Sequence, residues 1–308
     1  MKGGRKQDVI LRKQDIVLSE RDTKCGPSSV FKNGSCIPVS ALYIMAKSYN
    51  KKYKNKKIPL FTNEEEALTL CPAKTKRYLV KEFSKRLSDV CNDQRCWLKQ
   101  SFIEEIEPEI KKTLKYHTFR PKGPDGTFEW LSNYDIKAVM DQYQYKHKDF
   151  KFLGAVPIDF DSIPSYNIYN LNFQKNEEMG ITKYGIIFNL DESHQSGSHW
   201  VAGYIDVVKG DLLFFDSVGD PPVKRICNLL NRAGVYIKNI KKRDINIRIN
   251  RKQHQYSSSE CGVFSLNFII NMIEGKTFDQ YIDWLQKVNK TKDRYDCFMN
   301  RFRKEYFI

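Results

Sequence analysis

Residues 255–264, Gln-Tyr-Ser-Ser-Ser-Glu-Cys-Gly-Val-Phe, are the stretch that decides the fold of this chain. A Ser-rich turn leads into an apolar run that continues from Cys261 to Ile273. Because serine caps helix starts and Gly275 suits a helix end, the pattern predicts a helix that begins at Cys261. The positive end of a helix dipole stabilises a thiolate, and Gly262 leaves the approach to the sulfur open. Cys261 is therefore a candidate nucleophile, with a buried core cysteine as the alternative.

A cysteine nucleophile needs a base, and His199 is the best placed of the five histidines. It begins a β-like run, and a strand holds a base more rigidly than a loop does. Asp216 ends the next run of a predicted hairpin, where it can orient the His199 ring or form a turn with Ser217. The remaining histidines lie in polar or basic stretches and are predicted to be solvated or locally bonded: His117, His147, His194 and His254.

An acyl-transfer site also needs donors that face the developing oxyanion. The backbone N–H of Cys261 is one candidate, and the side-chain amide of Gln255, six residues earlier, is another. A lone Gln in a polar loop is usually a surface residue. The combination of residues, rather than any one of them, therefore indicates a catalytic site.

The combination resembles the cysteine proteases of the SUMO-protease clan, which includes adenain, the adenovirus protease. The shared order is His199-Trp200, then Asp216, then Gln255, then Glu260-Cys261-Gly262. The clan also has a Trp-Leu-Asn-Asp-like motif before its first core helix, which here reads Trp-Leu-Ser-Asn over residues 130–133. Both polar positions of that motif depart from the commonest form, since Ser132 and Asn133 stand where the clan most often has Asn and Asp.

The resemblance covers roughly residues 125 to 275, about half the chain, and implies a function. His199 would be the base, Asp216 its orienter, Gln255 an oxyanion donor and Cys261 the nucleophile. In relatives that cut after Gly-Gly, two tryptophans form a narrow slot, and here they would be Trp130 and Trp200.

The N-terminal region adds a narrower resemblance. Residues 34–38 and 46–50 resemble those of polyprotein-processing proteases from large cytoplasmic DNA viruses, of the African swine fever virus type. A cysteine endopeptidase that processes viral structural polyproteins during virion maturation is therefore expected, located in the host cytoplasm (viral factory) and virion. A non-viral relative would be cytoplasmic or nuclear.

The order of elements predicts an α+β fold, with a papain-like or adenain-like core in which a small mixed sheet is flanked by helices. A basic helical arm domain is predicted over residues 1–115 and a catalytic domain over residues 116–308. A turn-rich break at 121–126 separates helical patterns from β-like runs. The predicted strands are 152–158, 184–190, 200–208, 212–215 and 245–249, and the predicted helices include 133–143, capped by Ser132 and Asp135, and one from Pro221 to Gly234.

Charge and cysteine content indicate which partners and which compartment to expect. The net charge of +15 favours an anionic partner, so stimulation by nucleic acid is an expectation beside a protein substrate with Gly-Gly sites. Neither a secretory signal nor a membrane span is predicted, which implies a reducing compartment and free thiols. No cofactor or metal is expected, and a structural zinc at Cys91 and Cys96 is a minor alternative. The Gly3-Gly4 pair is a candidate site for self-cleavage.

Three other functions stay open at this point. The first is a deSUMOylating or deubiquitinating isopeptidase with the same triad. The second is a basic nucleic-acid-binding protein with a vestigial protease fold, and the third is an acetyltransferase that transfers the acyl group to a protein rather than to water. Filled catalytic positions argue against the vestigial protease.

Overall fold

The computed structural model describes residues 24–126, 128–288 and 292–308. The chain forms two compact units that divide between Pro121 and Lys122. The sequence placed this boundary after residue 115. The boundary lies later because the Arg120 backbone N–H donates to the Lys24 carbonyl, which ties this segment to the N-terminal unit. The first 23 residues of the predicted arm, with Gly3-Gly4, lie outside the described residues.

The N-terminal unit is helical. Proline occupies the first turn of two of its helices, where the missing N–H costs nothing. Edge-to-face contacts of the Tyr49 ring with Phe83 and Phe102 lie in its core. The helices are α1 Val39–Lys52, α2 Glu64–Thr69, α3 Pro72–Leu87, α4 Gln94–Trp97 and α5 Pro108–His117, with a 3-10 turn over Ser101–Glu105.

Two disulfides lie in the N-terminal unit. Cys25 pairs with Cys36 and Cys91 pairs with Cys96, and both pairs have a Cα–Cα distance of 5.4 Å. The expectation of free thiols is therefore wrong for these four residues, and it holds for the other four cysteines. Sequence spacing could not reveal the pairs, because a bridge depends on how the folded backbone aligns the two Cβ atoms.

The C-terminal unit has a five-stranded mixed sheet in the order β1-β2-β3-β4-β5. The two outer pairings, β1 with β2 and β4 with β5, are parallel, and the two inner pairings are antiparallel. The strands are β1 Phe150–Pro157, β2 Lys183–Asn189, β3 Trp200–Asp206, β4 Asp211–Phe215 and β5 Asn246–Ile249. The helices are α6 Asn133–Lys146, α7 Phe173–Glu178, α8 Lys224–Asn239, α9 Cys261–Ile273, α10 Phe278–Val288 and α11 Lys292–Tyr306.

Helices cover both faces of this sheet. Successive side chains of a strand point to opposite faces, so Leu213 and Phe215 join one core while Leu212 and Phe214 join the other. Helices α6 and α9 pack on the first face and α8 packs on the second. All seven residues of β3 are consequently buried. The predicted α+β architecture, a mixed sheet flanked by helices, is confirmed.

Some local sequence signals predict the helix ends correctly, and others do not. The capping box of Ser132 and Asp135 is present at the start of α6. Helix α8 does not end near Gly234 but continues to Asn239, because the glycine serves packing instead. A Cβ at Gly234 would lie 3.2 Å from the Leu212 side chain, so its absence lets the helix approach β4 closely. Helices α10 and α11 were not predicted.

Candidate active site

Cys261 is the first residue of α9, and Glu260 before it is the N-cap. This placement agrees with the predicted helix start and puts the thiol at the positive end of the helix dipole. The first turn of α9 is held from the side by Leu131, since a Cβ at Gly262 would lie 3.0 Å from the Leu131 Cβ. Gly262 is therefore needed for close packing here.

His199 and Asp216 meet where β3 begins and β4 ends. The antiparallel register pairs Ala202 with Phe215, which sets the start of β3 beside the end of β4. The His199 Nε2 lies 2.7 Å from the Asp216 Oδ1. Asp216 is buried, and its Oδ1 also accepts a bond from the Val218 backbone N–H. The carboxylate is therefore fixed before it orients the imidazole.

Asp216 and Cys261 both act on the His199 ring. Burial by itself lowers the pKa of His199, but hydrogen bonds to Asp216 and Cys261 and the charges of both groups raise that pKa to about 9. Because Nε2 faces Asp216, Nδ1 is the nitrogen available to the thiol. An imidazole with this pKa holds a proton at neutral pH.

Gln255 is buried rather than exposed on the surface. Its Oε1 accepts a bond of 2.6 Å from the Ser217 hydroxyl, and its Nε2 donates a bond of 2.8 Å to the Ser257 carbonyl. An amide nitrogen carries two protons, so the bond to Ser257 uses one of them. The second proton can serve a substrate oxyanion.

The two tryptophans differ in exposure. Trp130 is 47 % exposed, whereas Trp200 is 7 % exposed. The Trp200 indole N–H donates to the backbone carbonyl of Leu131, at 2.9 Å, which brings Trp200 to the segment that carries Trp130. Leu131 also packs on Gly262, so this segment lies beside the residue that follows Cys261.

Two histidines lie in environments that the sequence did not indicate. His254 is 1 % exposed and stacks on the Phe215 ring, and burial lowers its pKa to about 4. His117 is buried in the N-terminal unit. The prediction that both are solvated or locally bonded is wrong as to solvation. A polar sequence neighbourhood does not report burial that comes from distant elements.

Sequence reasoning also missed the polar residues that support the site. The buried Asn250 donates from Nδ2 to the Asp216 carbonyl at 2.6 Å. Glu260 is fully buried and accepts bonds from the hydroxyls of Ser257 and Ser259. Only the approach of β4 to β5 could have revealed the contact of Asn250 with the turn after β4.

Metal and membrane features are not found in the described part of the chain. Among residues 24–126, 128–288 and 292–308, no three His, Cys, Asp or Glu side chains are grouped as a metal site. Over the same ranges, no helix has both the length and the apolar character that crossing a bilayer requires.

Similarity to known proteins agrees with this geometry. Residues 185–306 match the model of the Ulp1 protease family, C-terminal catalytic domain. Over 278 residues, the chain is 36 % identical to a thiol protease of Acanthamoeba polyphaga mimivirus, covering 88 % of this chain and 92 % of that one. The chain belongs to the Ulp1 protease family. It is a cysteine protease, as the sequence predicted.

African swine fever virus proteins are similar at a lower level. A cysteine protease of that virus is 22 % identical over 240 residues, covering 72 % of this chain and 86 % of the relative. A crystal structure of the African swine fever virus protease matches with a TM-score of 0.57 and 20 % identity, over 80 % of this chain and 93 % of that one. The fold is therefore shared, and the resemblance to viral proteases of this type is confirmed.

Proposed function

We propose that this cysteine protease is an endopeptidase that cuts after Gly-Gly and uses Cys261, His199, Asp216 and Gln255. The observation that carries the proposal is the His199 ring, which hydrogen bonds to Asp216 at 2.7 Å and whose pKa is raised by both Asp216 and the neighbouring Cys261. Base, orienter and nucleophile in one chain of contacts are what acyl transfer by a thiol requires.

The reaction follows from these contacts. His199 takes the thiol proton, and the Cys261 thiolate attacks the carbonyl carbon of the residue before the scissile bond. The Cys261 N–H at the helix start and the second proton of the Gln255 amide stabilise the oxyanion. His199 then gives its proton to the leaving amine, which departs as the thioester forms. His199, now neutral, takes a proton from water, which attacks the thioester carbonyl; the C–S bond breaks, the carboxylic acid leaves, and the proton returns to the Cys261 sulfur.

The tryptophans support a preference for glycine. A partly exposed Trp130 and a buried Trp200 are linked through Leu131, which itself packs at the first turn of α9. Flat aromatic walls beside the nucleophile would admit residues that lack side chains. Side chains larger than hydrogen before the cut would meet one of the rings.

The natural substrate that we propose is a viral structural polyprotein, processed during virion maturation in the viral factory and the virion. The support is that the similar proteins belong to two large DNA viruses, mimivirus and African swine fever virus. The structural polyprotein of the virus that encodes this protease should be purified and incubated with it. The incubation should release fragments that end in Gly-Gly, as measured by mass spectrometry. Fragments ending elsewhere would contradict this substrate.

A second candidate is an isopeptidase that acts on ubiquitin-like modifiers. One African swine fever virus relative is named a SUMO-1 cysteine protease, which favours this reading. The two functions separate when a short Gly-Gly fluorogenic peptide is compared with SUMO and ubiquitin carrying the same fluorophore. A polyprotein protease should turn over the peptide at a rate comparable with the folded conjugates, whereas an isopeptidase should strongly prefer a conjugate.

Stimulation by nucleic acid is a further part of the proposal. A net charge of +15 provides the long-range attraction that a polyanion needs. The cleavage rate should rise with added DNA, and the rise should disappear at high salt because released counterions no longer favour binding. A cleavage rate that does not change with added DNA at low salt would contradict stimulation by nucleic acid and leave the rest of the proposal standing.

The deciding experiment compares wild type with Cys261→Ala on a fluorogenic peptide that ends in Gly-Gly. Wild type should cleave it, Cys261→Ala should show no turnover, and Cys71→Ala should match wild type because Cys71 is a free, exposed thiol of the N-terminal unit. Cleavage of an Ala-Ala peptide at the same rate would contradict the glycine preference. Cleavage by Cys261→Ala would remove Cys261 as the nucleophile.

A further inference from the structure

The Gln255 amide is held at both ends. The Ser217 hydroxyl donates to its Oε1 at 2.6 Å, and its Nε2 donates to the Ser257 carbonyl at 2.8 Å. Ser217 is 1 % exposed and Gln255 is 3 % exposed, so water does not replace either bond. The first bond joins the residue after Asp216 to the oxyanion donor.

These two bonds select one orientation of the amide. A carbonyl oxygen can only accept, so the Ser257 carbonyl must face the Gln255 nitrogen. The Ser217 hydroxyl then supplies the donor that the Gln255 oxygen needs. A flipped amide would place Oε1 against the carbonyl oxygen of Ser257, and two acceptors would repel. The orientation that remains keeps one N–H of Nε2 for the oxyanion.

The backbone of Ser217 fixes the loop that carries Gln255. Its carbonyl accepts the N–H of His254 at 2.7 Å and the N–H of Gln255 at 2.9 Å. The loop follows β5, which pairs in parallel with β4, so the carboxyl ends of both strands lie at one edge of the sheet. One residue therefore sets both the path of the loop and the direction of the amide.

We propose that Ser217 is a positioning residue for the reaction, and that its hydroxyl aims the Gln255 amide at the oxyanion. Ser217 does not touch the reacting atoms and acts through Gln255. This inference rests on the proposed roles of Gln255 and Cys261. It adds a residue that neither the triad nor the similarity to known proteins assigns.

The test is a double-mutant cycle of Ser217→Ala, Gln255→Ala and the double variant. The readout is acylation by p-nitrophenyl acetate, with Cys261→Ala as the blank, because this ester needs an oxyanion donor but no Gly-Gly recognition. Alkylation by iodoacetamide is measured in parallel, since that displacement reports the thiolate and forms no oxyanion. The matched control is Tyr306→Phe, which removes a different buried hydroxyl that bonds to Asn267 at 2.8 Å in the same unit.

Ser217→Ala should slow acylation about tenfold, because the Gln255 oxygen loses a buried donor and the amide loses its fixed orientation. In the Gln255→Ala background the same substitution should change acylation less than about twofold. Alkylation should stay at the wild-type rate in all three variants. Tyr306→Phe should lower the melting temperature and leave acylation unchanged.

Four results would overturn the inference. Equal slowing by Ser217→Ala in both backgrounds would mean a structural role only. Unchanged acylation in Ser217→Ala would remove the coupling between Ser217 and Gln255. Unchanged acylation in Gln255→Ala would remove Gln255 as the oxyanion donor. Acylation no faster than the Cys261→Ala blank would remove Cys261 as the nucleophile on which the inference rests. Ester acylation that follows the expected cycle, together with failure to cut Gly-Gly peptides, would contradict the proposed specificity and leave the role of Ser217 standing.

Discussion

The two units of the molecule are stabilised in different ways. The N-terminal unit is cross-linked by two disulfides. Its buried Lys76 donates to the Ser35 carbonyl at 2.9 Å, and burial lowers the pKa of that lysine to about 8. The C-terminal unit has no disulfide among its described residues, and two of its buried carboxylates, Asp216 and Glu260, are held by hydrogen bonds.

The difference follows from what each unit must contain. A thiol nucleophile has to stay reduced, so, with Cys261 in the proposed role, its unit gains from keeping its cysteines apart. That unit buries polar side chains at one edge of the sheet, and each costs free energy unless it is bonded. A sheet covered on both faces provides the core that offsets this cost. The smaller helical unit gains from cross-links instead.

The largest effect is expected from His199→Ala. Without the imidazole, the thiol loses its base and the leaving amine loses its acid, so kcat should fall by at least about 1,000-fold. His194→Ala is the matched control, because His194 is exposed in the loop before β3. Cleavage by His199→Ala within about tenfold of wild type would mean that another group is the base.

Gln255→Ala comes next, with a loss in kcat of about 100- to 1,000-fold, the usual effect of removing one oxyanion donor. The rate of Cys261 alkylation should not change, since the thiolate and the His199 ring keep their contacts. The exposed Gln174 provides the control, as Gln174→Ala should match wild type. A parallel fall in alkylation would show that the substitution disturbs the triad rather than the oxyanion.

The disulfides should matter for one unit only. Replacing Cys25 and Cys36 with serine should lower the free energy of unfolding of the N-terminal unit by about 2 to 3 kcal/mol, because the unfolded chain gains freedom. Hydrogen exchange should speed up in residues 24–121 and stay slow in β3 and α9. Equal loss of protection in both units would show that they unfold together and would end the contrast drawn between them.

The smallest effect concerns pH. The pKa of His199 rises from 6.5 to about 9 on folding, so its contribution to stability is complete below 6.5 and is lost as pH rises through 9. The His199 ring loses its proton near pH 9, so kcat/KM should fall there because the leaving amine loses its acid. The rate of Cys261 alkylation by iodoacetamide should show a transition at the same pH. Asp216→Asn removes the carboxylate charge that helps to raise this pKa, so the alkaline change should move to lower pH. An unmoved profile would mean that Asp216 does not act on the ring.

The local elements could be predicted because their signals are local. Helix α9 begins at Cys261 as expected, and the capping box opens α6 where the motif placed it. All five strands lie within two residues of the predicted starts, since alternating or continuous apolar runs indicate buried strands. The end of α8 was misjudged because Gly234 resembles a helix stop while its actual role is contact with Leu212.

The sequence by itself determined the class of this protein, a cysteine protease, and singled out the residues predicted to form its site. His199, Asp216, Gln255 and Cys261 could be selected because a nucleophile, a base, an orienter and a donor must occur in a workable order, whatever their distances. The tertiary structure alone decided the disulfides, the burial of His254 and the clamp of Ser217 on Gln255. These depend on which distant segments meet, and a one-dimensional pattern does not record the contacts that pair β4 with β5 or bring two cysteines to bonding distance.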